Sequence, residues 1–420
     1  MLDSKSSFLK DLFWAAVEAA DPLKALAREL PESRECPVAV MGAGKGAAQL
    51  ARAFEELWLG PIRGVVVTRY GFGVNCKHVR VLEAAHPIPD ENGVKASSEL
   101  LNLANSLSEK DLAVVLITGG GSALLPLPPE GMTLGDEILL NEILLRSGAP
   151  ISAMNAIRKH FSKIKGGRLA VAARPGKLHT LIVSDVPGDD PSQVASGPTV
   201  PDASDPDTAF AAIKRYGIEL PSKFLDHLSS ENARAPTPDD PDFEENSVNV
   251  IASCSLSLEA AVGRAKCLGA DARILSSAME GEAREAGRFL AAVAKEVKIA
   301  NRPFRKPVSI LSGGETTVTI KGTGLGGPNT ETTLSFALEI EGCDGICALF
   351  ADTDGIDGSG TNAGAFADGN TAGRIREAGL DPVECLANND SLKAMEAAGQ
   401  TFEIGPTGTN VNDFRAVLVD

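Results

Sequence analysis

Short glycine-rich loops with polar side chains are the segments of this sequence best suited to bind a reacting group. They lie at 42–46, 118–122, 184–190, 312–315, 352–355 and 405–410. Loops of this composition expose backbone N–H groups, which bind anions when they converge. A plain strand-to-helix turn is the alternative for 118–122. We expect phosphate or carboxylate groups to bind through Gly44, Gly46, Gly119, Gly120, Gly121, Ser122, Ser312, Gly313, Gly314, Asp354 and Asn410.

The first of these loops, 42–46, has the sequence GAGKG and fits the dinucleotide-binding pattern G-x-G-x-x-A. An NAD site also needs an acid near the end of the second strand, but the sequence there is VVVTRYG. It offers Arg69 instead, which suits a 2′-phosphate. Lys45 favours another ligand, because a lysine among glycines can stabilise a phosphoryl group during transfer. The alternative is that Lys45 faces solvent. No Walker A sequence occurs, which excludes a P-loop enzyme.

Acidic residues follow two of the predicted strands. Asp185, Asp189 and Asp190 lie in one loop, where carboxylates can hold Mg²⁺ or accept the proton of an attacking hydroxyl. The alternative, favoured for Asp190, is a helix N-cap. The segment 352–358, DTDGIDG, lacks the closing glutamate of a calcium-binding EF-hand loop. We therefore interpret it as a turn that supplies polar groups to a cleft.

Basic residues and histidines are weaker candidates. Arg158 lies on a predicted helix, followed by Lys159, Lys163 and Lys165, and it could contact a substrate carboxylate. The alternative is a solvated helix face. The histidines have no metal-ligand spacing, and no G-x-S-x-G motif accompanies them, so we interpret each as structural. They are His78, His86, His160, His179 and His227.

Length and composition predict an ordinary two-domain protein of the cytoplasm. At 420 residues, of which 43% are hydrophobic, the chain exceeds the size of one core. A net charge of −16 disfavours nucleic acids and anionic membrane surfaces as partners, although local Lys and Arg residues could still attract a small anion. The N-terminus lacks signal-peptide features, and the apolar runs are of strand length. The 7 scattered cysteines are expected to be reduced.

Strand-length β-branched runs alternate with helical stretches, which is typical of parallel βαβ units. In the first half we predict strands at 37–41, 64–68, 79–83, 112–118 and 178–184. A second series follows at 248–253, 272–275, 307–311, 317–320, 346–350 and 414–419. The proline-rich and acidic stretch 232–246 is typical of a linker. The sequence therefore predicts an α/β protein with an N-terminal domain at 1–235 and a smaller C-terminal α/β domain at 247–420.

Several of these segments together resemble one protein family. They are VMGAGKGA, EAAHPIPDENG, ITGGGSALLPLP, NAIRKHFSKIKGGRLA, SDVPGDDPSQVASGPTVPD, LSGGETTV, DTDGIDG and GPTGTNVNDFRAVLV. In this order they are similar to the glycerate 2-kinases, whose C-terminal part is the MOFRL domain. The resemblance runs from about residue 8 to residue 420.

The resemblance implies a fold and an activity. The fold would be an N-terminal Rossmann-like parallel sheet flanked by helices and a smaller MOFRL-like α/β domain, with the active site in the cleft between them. The activity would be transfer of the ATP γ-phosphate to the 2-hydroxyl of D-glycerate, with Mg²⁺. Carried over by motif, Lys45 and Asp189 would be catalytic, and Asp189 would hold the metal or orient the hydroxyl. The partners would be glycerate and a nucleotide, and a homodimer remains open.

One segment departs from the family pattern. Family members usually have G-x-G-R-G-G-R-N after SGGET, whereas this sequence has Leu325 and Pro328 at the arginine positions. Losing two guanidinium groups removes charge stabilisation from a transferring phosphoryl group, so Lys321 or another base compensates, or the activity is altered. The alternatives are an NADPH-dependent hydroxypyruvate reductase, a label that related bacterial sequences often carry, and a metabolite-binding protein without catalysis. The sequence does not decide between 2- and 3-phosphoglycerate as product, or the preferred nucleotide.

Overall fold

A computed structural model of the chain describes residues 2–30, 34–201 and 203–420. The helices are α1 Leu2–Ala19, α2 Pro22–Glu29, α3 Ala47–Leu57, α4 Glu91–Asn105, α5 Gly121–Leu124, α6 Leu134–Arg146, α7 Ile151–Arg158, α8 Arg168–Ala172, α9 Pro206–Arg215, α10 Ser222–Leu228, α11 Cys254–Cys267, α12 Ala283–Ala300, α13 Pro328–Glu339, α14 Thr371–Glu377, α15 Pro382–Ala387 and α16 Ser391–Ala397. Among the helices so described, none combines the length and apolar character needed to span a membrane.

The strands follow the same chain order. They are β1 Val38–Ala43, β2 Ile62–Arg69, β3 Val79–Ala84, β4 Leu112–Thr118, β5 Lys177–Val183, β6 Ser247–Ala252, β7 Ala272–Ser276, β8 Gly281–Glu282, β9 Val308–Gly314, β10 Thr316–Thr317, β11 Ile346–Asp352, β12 Gly364–Asp368, β13 Thr401–Phe402 and β14 Asp413–Val419. Helices and strands form two compact units. We call Ala25–Ile251 the Rossmann-like unit, and residues up to Lys24 together with Ala252–Asp420 the mixed-sheet unit.

The Rossmann-like unit contains a sheet with the strand order β3-β2-β1-β4-β5-β6. Neighbouring strands from β1 to β5 pair in parallel, which confirms the predicted parallel sheet. The central strand β4 has the sequence LAVVLIT and is almost entirely buried, as is usual when both faces of a parallel sheet are covered. The strand order reverses between β1 and β4. Ligands of such sheets bind beyond the carboxyl ends of the strands at this point, and the loops 42–46 and 118–122 lie there.

The mixed-sheet unit is built on a sheet with the order β13-β12-β11-β14-β9-β7. Strand β11 pairs antiparallel with β12 and β14, and β14 pairs antiparallel with β9. Strand β7 is parallel to β9. The buried helix α13 packs against β11 and β12, where Phe336 meets Phe350 edge to face. This unit is therefore α/β, as predicted, but its sheet is mixed.

The division between the two units differs from the predicted bounds 1–235 and 247–420. Helix α1, which lies in the first of those ranges, belongs to the mixed-sheet unit because Phe13 packs edge to face on Phe402 and Phe414. Strand β6, which was expected to open the second domain, is the edge strand beside β5. The predicted linker 232–246 stays with the first sheet, where the Asn246 side chain accepts a hydrogen bond from the Leu178 amide at 3.1 Å.

Candidate active site

The loop after β1 is held so that it projects the side chain of Lys45. The Gly44 amide donates to the Val67 carbonyl at 3.1 Å, and the Lys45 amide donates to the Gly119 carbonyl at 2.9 Å. The Lys45 carbonyl accepts from the Thr68 hydroxyl at 3.0 Å. Both backbone groups of Lys45 are thus engaged, so its position is set by strands β2 and β4.

The same contacts change the role expected for Gly44 and Gly46. The Gly46 amide donates to the Thr118 hydroxyl oxygen at 2.9 Å, and the Gly44 amide is bonded to β2 as described above. Neither amide is therefore turned to a ligand. Gly44 is required for another reason: its φ is +131°, and a Cβ there would lie 2.1 Å from the Thr118 Oγ1. Gly44 therefore allows the loop to approach β4 closely, whereas a Cβ on Gly46 would make only an ordinary contact of 3.5 Å with Thr118.

Three ionisable side chains surround the glycine pair after β4. A Cβ on Gly119 would lie 1.9 Å from the Oδ2 of Asp185. A Cβ on Gly120 would lie 2.9 Å from the Nε2 of His86 and 3.1 Å from the Cε of Lys45. The side chains of Lys45, His86 and Asp185 thus occupy the space that any other residue type would fill. We call these five residues the Lys45 site.

Burial and charge shift the protonation equilibria within the Lys45 site. Burial raises the pKa of the Asp185 carboxyl, and the positive charge of Lys45 opposes this. Burial lowers the pKa of the His86 imidazole, and the charges of Lys45 and Arg69 lower it further. At neutral pH the imidazole is therefore neutral. From the sequence we interpret His86 as structural; the structure places its ring beside Lys45, and whether it takes part in catalysis stays untested.

A chain of hydrogen-bonded hydroxyl and amide side chains begins at Ser122, in the loop 118–122. The Ser122 and Ser196 hydroxyl oxygens are 2.7 Å apart, and the Ser196 hydroxyl donates to the Asn155 Oδ1 at 3.4 Å. Asn155 in turn donates to the Gln193 Oε1 at 2.8 Å. Ser196 has a φ of +60°, which is uncommon outside glycine and marks local backbone strain. The backbone thus holds a hydroxyl against Ser122 at some cost.

The amides of the loop 119–122 contrast with those of the first loop. In the part of the chain that the structure describes, no backbone carbonyl accepts a hydrogen bond from the amides of Gly120, Gly121 and Ser122. Gly120 has a φ of +78°, and a Cβ on Gly121 would lie 2.6 Å from the Cβ of Ala195. The predicted anion-binding role therefore remains open for Gly119, Gly120, Gly121 and Ser122.

Of the acids after β5, Asp185 lies in the Lys45 site and Asp189 lies further along the loop. Asp189 is half-buried with a φ of 54°, and its carboxylate has no hydrogen bond or ion pair with any residue that the structure describes. A carboxylate without a partner can bind a cation. Mg²⁺ commonly uses one or two carboxylates together with phosphate oxygens, so the residues fit such an ion without a dedicated cage. In the described ranges, no group of three or more His, Cys, Asp or Glu residues has metal-binding geometry.

The basic residues at the end of α7 are buried, so the alternative of a solvated helix face is wrong for most of them. Burial lowers the pKa of Arg158, and the charge of Glu137 opposes this. Lys159 is 0% exposed, and burial lowers its pKa to about 8. The Lys165 ammonium is ion-paired with Glu137 at 2.6 Å. Only Lys163 of this group is exposed. Whether Arg158 contacts a substrate stays a prediction.

The remaining candidates belong to the mixed-sheet unit. Two of them are in contact, because the Asn410 amide donates to the Asp354 Oδ2 at 3.3 Å. Ser312, Gly313 and Gly314 end the buried strand β9 and pair with Arg415, Phe414 and Asp413 of β14. Asp352 of β11 pairs with Asp413 from the other side. These residues line up across three strands at one end of the mixed sheet.

Charge is concentrated in this second group. Burial, followed by the charges of Asp354 and Asp413, raises the pKa of Asp352 well above its usual range. The Asp413 carboxylate accepts hydrogen bonds from Asn329 at 2.7 Å and from the fully buried Arg415. Two of these groups, Asp413 and Arg415, escaped the sequence analysis, whereas Asp352 begins the segment 352–358 that was interpreted there as a source of polar groups. The signal was present in the polar residues of the final strand, which is otherwise apolar.

The positions where family arginines are absent have clear structural roles. Leu325 is 59% exposed, and its amide donates to the Asp390 Oδ1 at 3.2 Å. Pro328 is the first residue of α13, where its fixed φ and missing N–H are well tolerated. Lys321 has its amide bonded to the Asn389 side chain at 2.7 Å. Compensation by Lys321 stays a prediction.

Comparisons with known proteins cover the whole chain. Residues 8–229 match the family model described as a domain of unknown function, DUF4147, and residues 308–413 match the MOFRL family. A protein of Agrobacterium vitis named putative hydroxypyruvate reductase is 46% identical over 99% of this chain and 95% of its own length. A D-glycerate 2-kinase of Thermotoga maritima is 40% identical over 96% of both chains.

Solved structures give the same result for the fold. The crystal structure of a glycerate kinase from Thermotoga maritima matches with a TM-score of 0.90 and 37% identity, and the match covers 100% of both chains. A second structure, from Pyrococcus horikoshii, matches with a TM-score of 0.84 and 38% identity over 99% of this chain and 98% of the other. Both units therefore have the fold of these relatives.

Proposed function

The chain belongs to the glycerate 2-kinase family, and on this premise we propose that it transfers the γ-phosphoryl group of ATP, with Mg²⁺, to the 2-hydroxyl of D-glycerate. The observation that carries the proposal is the Lys45 site. It combines a lysine, an acid and a neutral imidazole around two glycines at the switch point of a parallel sheet. This arrangement suits an anionic group that changes its charge distribution during transfer.

Lys45 would donate its ammonium hydrogens to the oxygens of the migrating phosphoryl group. Phosphoryl transfer requires little covalent participation by the protein, so positioning and charge stabilisation supply most of the catalysis. The N–H and the C=O of Lys45 are both hydrogen-bonded, which fixes the backbone from which its side chain extends. A preorganised charge of this kind need not rearrange when the reaction occurs.

Asp185 is the residue best suited to accept the proton of the attacking hydroxyl. The hydroxyl oxygen would form a bond to the γ-phosphorus, the bond from that phosphorus to the β–γ bridging oxygen would break, and ADP would leave. The hydroxyl proton would pass to the Asp185 carboxylate. Because burial raises the pKa of this carboxyl, it is a stronger base than an exposed aspartate.

Asp189 would hold the Mg²⁺–nucleotide complex through its carboxylate, which has no partner in the described chain. The ion would neutralise part of the charge on the ATP phosphates. The amides of Gly120 and Gly121 and the Ser122 hydroxyl would bind an oxyanion of the substrate or nucleotide. This proposal divides between Asp185 and Asp189 the two roles that the family resemblance implied for Asp189.

The reductase alternative finds less support in the first glycine loop. A dinucleotide site of the usual kind binds the pyrophosphate to amides of the G-x-G-x-x-A turn. Here the amides of Gly44, Lys45 and Gly46 donate to other parts of the protein. The label carried by the Agrobacterium vitis relative still makes hydroxypyruvate reduction worth testing directly.

The test compares ADP release with NADPH oxidation in the same purified protein. We expect ADP release from ATP and Mg²⁺ that depends on D-glycerate, and no change in NADPH absorbance with hydroxypyruvate. NADPH oxidation without glycerate-dependent ADP release would contradict the proposal and favour the reductase. Tight nucleotide binding without turnover on glycerate, tartronate or tartrate would instead support a non-catalytic binding protein.

Lys45→Ala should lower glycerate-dependent turnover about 100-fold or more, the usual cost of removing one preorganised charge donor. The matched control is Lys95→Ala, since Lys95 is an exposed lysine on α4. Far-ultraviolet circular dichroism and thermal melting would check that both variants fold. Turnover by Lys45→Ala equal to that of Lys95→Ala would remove Lys45 from the mechanism.

A further inference from the structure

Arg69 ends strand β2 with its charge uncompensated. No carboxylate forms an ion pair with its guanidinium group, and no acceptor takes a hydrogen bond from it, within the residues that the structure describes. Its Nε is buried without a partner. A partly buried guanidinium group in this condition is costly unless a ligand supplies the missing acceptor. This is notable in a chain with a net charge of −16.

The side chain is nevertheless held in place. The guanidinium carbon of Arg69 lies 3.5 Å from the ring centroid of Phe72, which is a close cation–π contact. The turn between them is closed by a hydrogen bond of 3.1 Å from the Phe72 amide to the Arg69 carbonyl. The amides of Gly71 and Gly73 each donate to the Glu83 Oε1 at 2.9 Å. The nearby acid Glu83 thus fixes the turn rather than neutralising the arginine.

Arg69 is paired with Ala84 of β3, and His86 follows Ala84 by two residues, so Arg69 and His86 lie at the same end of the sheet. The charge of Arg69, together with that of Lys45, lowers the pKa of His86 beyond the effect of burial. His86 Nε2 and Lys45 Cε both lie within about 3 Å of the point where a Cβ on Gly120 would stand. The neutral imidazole thus lies beside Lys45, and Arg69 at the end of β2 is near enough for its charge to act on the same ring. The positive charges of Lys45 and Arg69 would attract an anion that binds beside Gly119 and Gly120.

We propose that Arg69, stacked on Phe72, is a specificity-determining residue that binds the carboxylate of a 2-hydroxy-acid substrate. The inference rests on the proposed function, in which Lys45 is already committed to the phosphoryl group. A planar guanidinium fork matches a carboxylate, whereas an ammonium group acts as a point charge. In a 2-hydroxy acid the reacting hydroxyl is on the carbon next to the carboxylate, so the carboxylate must bind close to the phosphoryl-binding lysine.

The test measures substrate and nucleotide binding separately in the full chain. Arg69→Met should raise both the KM and the calorimetric Kd for D-glycerate about 10- to 100-fold, the usual effect of losing a hydrogen-bonded charge. The Kd for ATP should stay within about twofold. Arg69→Lys keeps the charge and loses the fork, so its KM should fall between those of the wild type and Arg69→Met.

Discrimination against a neutral analogue provides a readout that general damage to the fold does not change. The wild type should prefer D-glycerate to glycerol, which lacks the carboxylate, and Arg69→Met should lose most of this preference. Arg63→Met is the matched control, because Arg63 lies on the same strand but is exposed and contacts Asp111 at 3.5 Å. It should leave every parameter unchanged.

Each outcome either supports or overturns the assignment. Unchanged glycerate binding in Arg69→Met, or weaker ATP binding with normal glycerate binding, would overturn it while leaving glycerate kinase activity intact. If the wild type neither binds nor phosphorylates D-glycerate, both the proposed function and this assignment fail. If Arg69→Met does not fold, Arg69→Lys and Phe72→Leu still decide: a normal KM for glycerate in both would contradict the role of the stacked guanidinium.

Discussion

Gly119→Ala should disable the enzyme by moving one carboxylate. The φ of Gly119 is not in the left-handed region, so alanine can adopt this backbone conformation. Its Cβ would lie 1.9 Å from the Asp185 Oδ2, whereas ordinary contacts of this kind begin at 3.4 Å. The carboxylate must therefore move by about 1.5 Å to reach van der Waals distance. A displacement of about 1 Å in a reacting group can cost about 100-fold in rate.

The cost to stability should be smaller than the cost to activity. Overpacking in a closely packed region usually destabilises by about 1–3 kcal/mol, and the Asp185 side chain can rotate to relieve part of it. We therefore expect glycerate-dependent ADP release to fall about 100-fold, with a folded protein that melts a few degrees lower. Gly135→Ala is the control, since its Cβ would meet only the Thr133 Oγ1 at 3.6 Å.

The double variant Gly119→Ala/Asp185→Ala separates the clash from the chemistry. Removing the carboxylate should restore the melting temperature of Gly119→Ala and should not restore turnover. The two changes would then be strongly non-additive in stability, as expected for residues in contact. Wild-type turnover in Gly119→Ala, measured with saturating glycerate and ATP, would refute the close approach of Asp185 to the glycine pair.

Substitutions at two further residues, Ser196 and Lys159, give additional tests. Ser196→Ala removes the hydroxyl that lies 2.7 Å from the Ser122 hydroxyl and should lower kcat/KM about 10-fold. Ser196→Gly should show the same loss of kcat/KM. It should melt at a higher temperature than Ser196→Ala, because glycine adopts the φ of +60° without strain. Burial lowers the pKa of Lys159 to about 8 in the folded protein, so the lysine binds its proton more tightly in the unfolded chain. The free energy of unfolding, measured by chemical denaturation, should therefore rise between about pH 8 and pH 10.5. Lys159→Met should abolish that rise and stabilise the protein at pH 7 by up to about 3 kcal/mol; an unchanged pH dependence would contradict the burial of its ammonium group.

The strands of the first sheet could be predicted to within a few residues because their signals are local. The run LAVVLIT is apolar throughout since both of its faces are covered, and β4 spans Leu112–Thr118, the predicted range. In the second half, the predicted strand 317–320 is only the two-residue β10, Thr316–Thr317. Strand β12, GAFAD, was missed because its small residues resemble a loop. It forms because β11 supplies an antiparallel partner.

The division of the chain depends on long-range packing, which sequence composition does not reveal. The apolar residues of helix α1 do not show which sheet the helix covers. It packs on the mixed sheet through contacts of Phe13 with Phe402 and Phe414, in a core that also includes α11. Strand β6 follows an acidic, proline-rich stretch that is typical of a linker. It nevertheless pairs with the edge of the first sheet, because β5 otherwise offers an unpaired edge.

The candidate site could be predicted in its location but not in its contacts. Loops after parallel strands of one sheet end at the same edge, so Lys45 and Gly119 were expected to lie near a ligand. Which amides remain available could not be predicted, because it depends on neighbours such as Val67 and the Thr118 hydroxyl. Which of Asp185 and Asp189 lies in the site, and where His86 lies, likewise depend on how the loops after β3 and β5 fold against the loop after β4.

Phosphorus NMR of the reaction of ATP, Mg²⁺ and D-glycerate tests whether Lys45 serves phosphoryl transfer to the 2-hydroxyl. We expect the resonance of 2-phosphoglycerate to grow as ADP appears, to be nearly absent with Lys45→Ala and to be normal with Lys95→Ala. A spectrum in which only ATP persists with the wild type, or in which Lys45→Ala forms the product as fast as the wild type, would contradict the mechanism. Formation of 3-phosphoglycerate would support kinase activity on glycerate but contradict the assignment of the 2-hydroxyl as the acceptor.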